Sequence, residues 1–376
     1  MMNQLIFAAS ETNADLRYLT NFFAPDPFVY LKLNGKTFLL LSDLEVDRGR
    51  RQATVNQVVA VSDLRKKSRR SRDKKKPATL AELIGFLCQS KQVSKLYVPS
   101  AFPLGLAMEL SPLGLELIPR PNPFARGRLR KSTKEIAAIA AVQRANEKAM
   151  AAAYELLRES DIRSKDQILF IGSQPLTAEL VKQTIELALL KENCLALNTI
   201  VACGSQTADP HDRGSGPLYA GQPIIVDIFP SSKETGYFAD MTRTFCKGRA
   251  PDRLKRLYNV VRKGQDLALR QIKAGVNVTL PDKNIRRYFA QAGYPTKKSG
   301  GRMVGFFHGV GHGVGLEIHE PPSLSPRGEG TLKLGMVVTV EPGLYYPWGG
   351  VRLEDLVVLT SGGLRNLTNF PKMLEV

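Results

Sequence analysis

Apolar positions recur along this chain with two different periods, and the switches between them mark out a mixed α and β protein. Residues 28–33 and 36–41 are apolar or alternating runs on either side of Asn34-Gly35, the dipeptide that most strongly signals a tight hairpin. Residues 55–61, 95–98 and 114–118 read as further short strands. Between them, residues 78–89 place Leu80, Leu83, Ile84 and Leu87 at helical spacing. Three prolines and a glycine over 119–127 then read as a linker. Ser132 opens a long helix, with Glu135 completing a capping box and Ile136, Ile139, Ala140, Ala149 and Leu156 as its buried stripe. A second helix starts near Thr177 and carries Leu180, Ile185, Leu187 and Leu190. Residues 223–229 and 235–245 read as a strand pair around the polar loop 231–234.

Two amphipathic helices follow, over 252–273 and 281–292, the second starting at Pro281 and stopping at Gly293. Strands over 336–340 and 351–359 complete the chain, and no internal repeat is visible. At 376 residues, two domains are the natural expectation. The pattern predicts an α+β protein with a small α/β domain over residues 1–125 and a larger domain over 126–376.

Composition changes this picture little. Hydrophobic residues at 43% and charged residues at 23% are ordinary for a globular protein. No run approaches the roughly 18 apolar residues of a membrane span, and the apolar start is too short for a signal peptide. Four scattered cysteines suit reduced thiols, so a cytoplasmic location is expected. The net charge of +18 is unusual, but residues 65–76 alone hold nine basic side chains against Asp73. Such a run reads as a solvated loop. Without zinc spacing or aromatic interleaving, neither a specific nucleic-acid partner nor a membrane is expected.

The candidate chemistry is concentrated. Three of the four histidines, His308, His312 and His319, fall within one short segment reading HGVGHGVGLEIHE, and the fourth is His211. The His308–His312 spacing fits two metal ligands on one turn of helix. Glycines at 309, 311, 313 and 315 argue against a helix, since each costs about 1 kcal/mol there relative to alanine. They suit an extended segment packed closely against other backbone. Residues 316–319 then read as a strand, with Glu317 and His319 on one face. Asp227 and Glu341 end apolar strands, Asp240 shares a strand face with Thr242 and Thr244, and Arg352 and Glu354 point the same way while Asp355 faces away. Acids in such places are costly unless paired or metal-bound. With a histidine they form a hard ligand set for divalent ions.

In order and context, Asp227, Asp240, His312, Glu341 and Glu354 resemble the five metal ligands of the pita-bread metallopeptidases, the family of methionine aminopeptidase, aminopeptidase P and prolidase. The segments HGVGHGVGLEIHE, TVEPGLYY and GGVRLEDLVVLT carry the resemblance over roughly residues 129–376. One departure is a two-residue longer gap between Asp227 and Asp240, placed in the loop 231–234. His308, the RLED segment and the N-terminal domain resemble the Xaa-Pro branch rather than methionine aminopeptidase. The resemblance implies a C-terminal pita-bread fold binding two divalent ions, manganese first and cobalt or zinc as alternatives. It implies hydrolysis between an N-terminal residue and proline by a hydroxide bridging the ions, on short proline-containing peptides, in a cytoplasmic homodimer. Glu341 is then the general base; His308 and His319 contact the substrate; His211 moves protons or shapes the pocket; and Arg352 orients Glu354 or binds substrate. A dipeptidase also needs a cation for the free carboxylate, for which Arg327 is the one arginine between His319 and Glu341. The alternative is a catalytically silent binding module on the same fold.

Overall fold

Asn34 and Gly35 take positive φ of 48° and 85°, the backbone that closes a hairpin between β2 (Phe28–Leu33) and β3 (Lys36–Leu41). In this computed structural model, which describes residues 2–69, 77–122, 124–163 and 165–376, they sit in a six-stranded sheet. Its other strands are β1 (Gln4–Ala8), β4 (Gln57–Ala60), β5 (Lys95–Pro99) and β6 (Glu116–Arg120), in the order β4-β3-β2-β1-β5-β6. The strand expected over 55–61 is shorter, because Val61–Arg69 is helical. Most of the basic run, residues 70–76, lies outside the described residues. The helix Leu80–Ser90 starts from a Thr79–Glu82 capping box and buries Leu83, Ile84 and Leu87.

The stretch expected as a linker is instead tied down. The Asp15 carboxylate accepts from the backbone N–H groups of Phe124 and Ala125, both at 3.0 Å, and from buried Arg128 at 3.0 Å. The chain divides into two compact units, Met1–Arg128 and Leu129–Val376.

The second unit opens with the long helix α1 (Thr133–Glu159), on the Ser132–Glu135 capping box, followed by α2 (Ala178–Lys191). Their apolar faces cover the antiparallel strands β7 (Ile200–Cys203), β8 (Ile224–Ile228) and β9 (Met241–Phe245). The expected strand over 235–245 is formed only from Met241 onward. The polar loop expected over 231–234 contains a two-residue strand, Ser231–Ser232, paired with Cys194–Leu195.

A second helix pair, α3 (Asp252–Gln271) and α4 (Thr279–Gln291), packs on a second sheet through Leu257, Val261, Ile285 and Phe289. That sheet is ordered β11-β10-β12-β15-β16 from β10 (Gly311–Gly313), β11 (Glu320–Leu324), β12 (Val337–Val340), β15 (Asp355–Thr360) and β16 (Gly363–Asn366). The hairpin β13 (Gly343–Tyr346) and β14 (Gly349–Arg352) lies between β12 and β15 in sequence. Helix pair and sheet thus occur twice in order, a repeat that divergent side chains hide. The strand expected over 351–359 is broken at Leu353-Glu354, between β14 and β15.

Candidate metal centre

The glycine-rich segment is extended, as its composition predicts, and forms β10 at the centre of the site. A Cβ on Gly311 would overlap the Thr339 carbonyl oxygen, and one on Gly313 the carbonyls of Glu320 and Pro321. Backbone meets backbone there, with no room for a side chain. Gly311→Ala is expected to destabilise the protein by roughly 1–3 kcal/mol through overpacking, measured as a shift in urea midpoint at unchanged slope. Residues 316–319 do not form the expected strand. The chain bends so that the Glu320 carboxylate lies against Gly315 and pairs with buried Lys131 at 2.5 Å, while Gly315 N–H donates to the Glu317 carbonyl at 3.1 Å. As a result Ile318 and His319 both reach the same cavity instead of opposite faces.

That cavity, of about 320 Å³, is lined by Asp227, Asp240, His312, Glu341 and Glu354. Asp227 lies on β8 and His312 on β10, while Asp240, Glu341 and Glu354 sit just outside strand ends. Ligand atoms of Asp240, His312 and Glu354 all fall within 4.8 Å of one another. His312 Nε2 is 3.2 Å from Glu341 Oε1 and 3.6 Å from Asp240 Oδ2. The other ring nitrogen, Nδ1, lies 3.1 Å from the Gly313 carbonyl. That contact suits the tautomer that turns the Nε2 lone pair toward the acids. Asp227 Oδ1 is buried without a hydrogen-bond partner, while Oδ2 accepts from Arg352 at 2.7 Å.

These donors want a cation. Burial, with the charges of Glu354, Asp227 and Glu341, pushes Asp240 well above its usual carboxylate range. Burial and the charges of Glu341 and Asp227 push Glu354 up to about 8. Burial opposes charge at His312 and Glu341 too, but their mutual hydrogen bond and attraction prevail, raising His312 and holding Glu341 down at about 2. A crowded set of acids with one orphaned oxygen fits divalent ions in number and chemistry.

Arg352 serves Asp227 rather than bonding Glu354 directly. Its guanidinium donates to Asp227, to Tyr345 Oη and the Pro210 carbonyl, both at 3.1 Å, and to Thr242 Oγ1 at 3.2 Å. Thr242 in turn donates to Glu354 Oε2 at 2.7 Å, so one hydroxyl links the arginine to the acid. His308 has both ring nitrogens engaged, Nδ1 at 2.8 Å from the Gly309 carbonyl and Nε2 at 2.9 Å from Tyr345 Oη. Burial lowers it to about 4 and raises Tyr345 to about 12, so both are neutral near pH 7. His319 is exposed and edge-on to His312, with ring centroids 4.3 Å apart. His211 is exposed on the wall of the same cavity. Arg327 is exposed and does not line the cavity.

Several positioning groups were not singled out from sequence. Tyr345 is one. Buried carboxamides are others: Gln143 Oε1 accepts from the Asp240 N–H at 3.3 Å, and Asn146 Nδ2 donates to the Ile228 carbonyl at 2.7 Å. Gln265 Nε2 donates to the carbonyls of Val340 and Leu353, at 2.8 and 3.1 Å, the residues just before Glu341 and Glu354. From β9, fully buried Arg243 pairs with Asp355 at the start of β15 at 2.9 Å and donates to the carbonyls of Thr242, Glu354, Phe370 and Pro371.

Residues 137–361, well over half the chain and all five acid and histidine positions, match the model of metallopeptidase family M24. The chain belongs to this family. Among M24 relatives, an uncharacterized peptidase, YqhT, of Bacillus subtilis is 40% identical over 183 residues, covering 48% of this chain and 49% of that one. A Xaa-Pro dipeptidase of Pyrococcus furiosus is 36% identical over 181 residues, covering 48% and 49%. The chain thus spans about half the length of these curated relatives. Structural likeness runs further. The Xaa-Pro dipeptidase from Bacillus anthracis superimposes with a TM-score of 0.82 at 25% identity, over 100% of this chain and 95% of that one. The X-Pro aminopeptidase from Thermotoga maritima superimposes with a TM-score of 0.79 at 24% identity, over 100% and 98%, and shares the fold. The architecture of this M24 chain is the expected α+β one, a pita-bread fold with an N-terminal domain.

Proposed function

We propose that the chain is a metal-dependent peptidase that releases an N-terminal residue from a following proline. The observation that carries this reading is the convergence of Asp227, Asp240, His312, Glu341 and Glu354 on one cavity, with an unpartnered Asp227 oxygen among them. These five side chains would hold two divalent ions, manganese being the first choice. Bound ions polarise a carbonyl and acidify water near neutrality. The intact ligand set gives the silent binding module no support.

The chain's own residues supply the rest. Glu341, held ionised, is the base for the proton of the attacking water. Arg352 holds one Asp227 oxygen and so turns the other inward. Among the described residues His319 has no hydrogen-bond partner, and it is the imidazole open to the scissile carbonyl. His308 and Tyr345 form a neutral buried wall behind it. His211, at the exposed edge, moves protons or shapes the substrate pocket. A prolyl amide has no N–H to recognise, so the site must act on its carbonyl and not rely on that donor. A cytoplasmic homodimer is the setting proposed; four free buried cysteines agree with a reducing compartment, and no helix among the described residues is long and apolar enough to cross a membrane.

The direct test is release of the first residue from an Xaa-Pro-Yaa peptide after manganese loading. Less than about one ion per chain, with no hydrolysis, would leave the binding module as the better account.

Metal uptake should also depend on pH in a stated direction. Glu354 in the metal-free protein titrates at about 8, so below that pH a proton competes with the ion. Manganese affinity is therefore expected to rise as pH increases toward 8, with proton release near pH 7. Calorimetry in two buffers of different ionisation enthalpy measures this; no proton release at pH 7 would contradict it. The sign for folding is opposite. Because Glu354 is raised from 4.5 to about 8 on folding, its contribution to metal-free stability is full below pH 4.5 and lost as pH rises through 8.

A further inference from the structure

Resting on the peptidase reading above, we infer that this chain prefers peptides of three or more residues over Xaa-Pro dipeptides, because among the described residues its cavity has no uncommitted arginine or lysine to receive a carboxylate beside the scissile bond. In an Xaa-Pro dipeptide the free carboxylate is two bonds from the prolyl nitrogen of the cleaved amide. Wherever that amide lies against the metal ligands, the carboxylate must lie inside the same cavity. In Xaa-Pro-Yaa the same carbon is a neutral amide, and the charge moves outward by a residue.

Among the described residues, the lining holds one arginine or lysine, Arg352. It is buried, and four of its N–H groups are taken by Asp227, Tyr345, Pro210 and Thr242, so it is not turned toward a substrate carboxylate. Arg286, just behind the wall, is committed to Asp282 at 2.6 Å and to the carbonyls of Phe306 and His308. Arg327 stands exposed outside the lining. The four carboxylates of the site would offset two divalent ions, which leaves Arg352, already engaged, as the one further charge of the described lining. The remaining lining is neutral: Ile200, Phe229 and Ile318 are apolar, and Ser323 and Ser325 bond to each other at 2.9 Å. Among the lining histidines, His308 has both ring nitrogens engaged and His312 faces Glu341 and Asp240. Desolvating a carboxylate without a charged partner is unfavourable, and a bidentate arginine is what would offset it.

The experiment compares Ala-Pro, Ala-Pro-NH2 and Ala-Pro-Ala on the manganese-loaded full chain. The amide has the length of the dipeptide without its charge, so it separates charge from size. Hydrolysis of Ala-Pro-NH2 and Ala-Pro-Ala is expected at similar kcat/KM, exceeding Ala-Pro by roughly 10- to 100-fold, the range for one lost charged hydrogen-bond partner. Ser323 lies opposite His312 in the β10–β11 register and is exposed in the lining, which makes it the place to install a cation. Ser323→Arg should raise Ala-Pro hydrolysis about tenfold and narrow the gap. Arg327→Ala should leave the ratio unchanged. Equal rates on Ala-Pro and Ala-Pro-Ala, or an amide as poor as the acid, would overturn the inference. So would a loss confined to Ala-Pro in Arg327→Ala. Failure of metal-bearing protein to cleave any of the three would overturn the peptidase reading itself.

Discussion

Glu354→Gln is expected to remove most bound metal and to lower kcat/KM by far more than the roughly 10- to 100-fold cost of losing an outer partner of a metal site. The exchange is nearly isosteric, so packing is kept and the charge is removed. The glutamine can still accept from Thr242 through its carbonyl, as Glu354 Oε2 does now at 2.7 Å. What it cannot do is present two anionic oxygens in a cavity where Asp240, Asp227 and Glu341 already crowd. In the metal-free protein that crowding is a burden, so the same substitution should raise apo stability slightly while abolishing the stabilisation that manganese confers. Metal content per chain, melting with and without manganese, and peptide hydrolysis together read this out. Two ions per chain retained at full occupancy would refute the assignment of Glu354 as a ligand.

Arg243→Met is expected to cost about 3–5 kcal/mol, the range for breaking a buried ion pair from one side. Arg243 is about 1% exposed and its partner Asp355 equally so. Removing the guanidinium leaves Asp355 with Lys372, at 2.7 Å, and Asn366, at 3.0 Å, but strips the donor from four main-chain carbonyls. One of these belongs to Glu354, so metal affinity should fall together with stability. Urea unfolding of metal-free protein isolates the first effect. A change below about 1 kcal/mol would mean that the network relaxes around the loss. Arg243→Lys should recover part of the difference by keeping the charge and fewer of the hydrogen bonds.

How much of this was readable beforehand depended on what each residue's neighbours announce. Glu341 follows Val-Val-Thr-Val and precedes Pro-Gly, so an acid at a strand end was plain. The glycines around His312 likewise announced close backbone contact, and Gly311 against Thr339 is that contact. The bend at residues 316–319 was not readable, because the partner that holds it, Lys131, is far away in sequence. Alternation alone therefore misassigned a strand. The pairing of Arg243 with Asp355 was not readable for a related reason: each is a single charge among uncharged strand residues, and only tertiary structure shows that they satisfy one another. For Gln265 a signal did exist. It continues the stripe of Leu254, Leu257, Val261 and Ala268, and a carboxamide on an apolar face requires a partner.

That glutamine also bears on how the fold can vary. One –NH2 group bridges the carbonyls ahead of Glu341 and Glu354, so neither strand end can shift without breaking a bond to the other. The two acids are carried as a fixed pair. Ser323 and Ser325 stand on a different strand edge, which Gln265 does not touch. On the peptidase reading proposed above, a substitution at the serine edge would alter the acceptance of peptide lengths and leave the spacing of the two acids untouched.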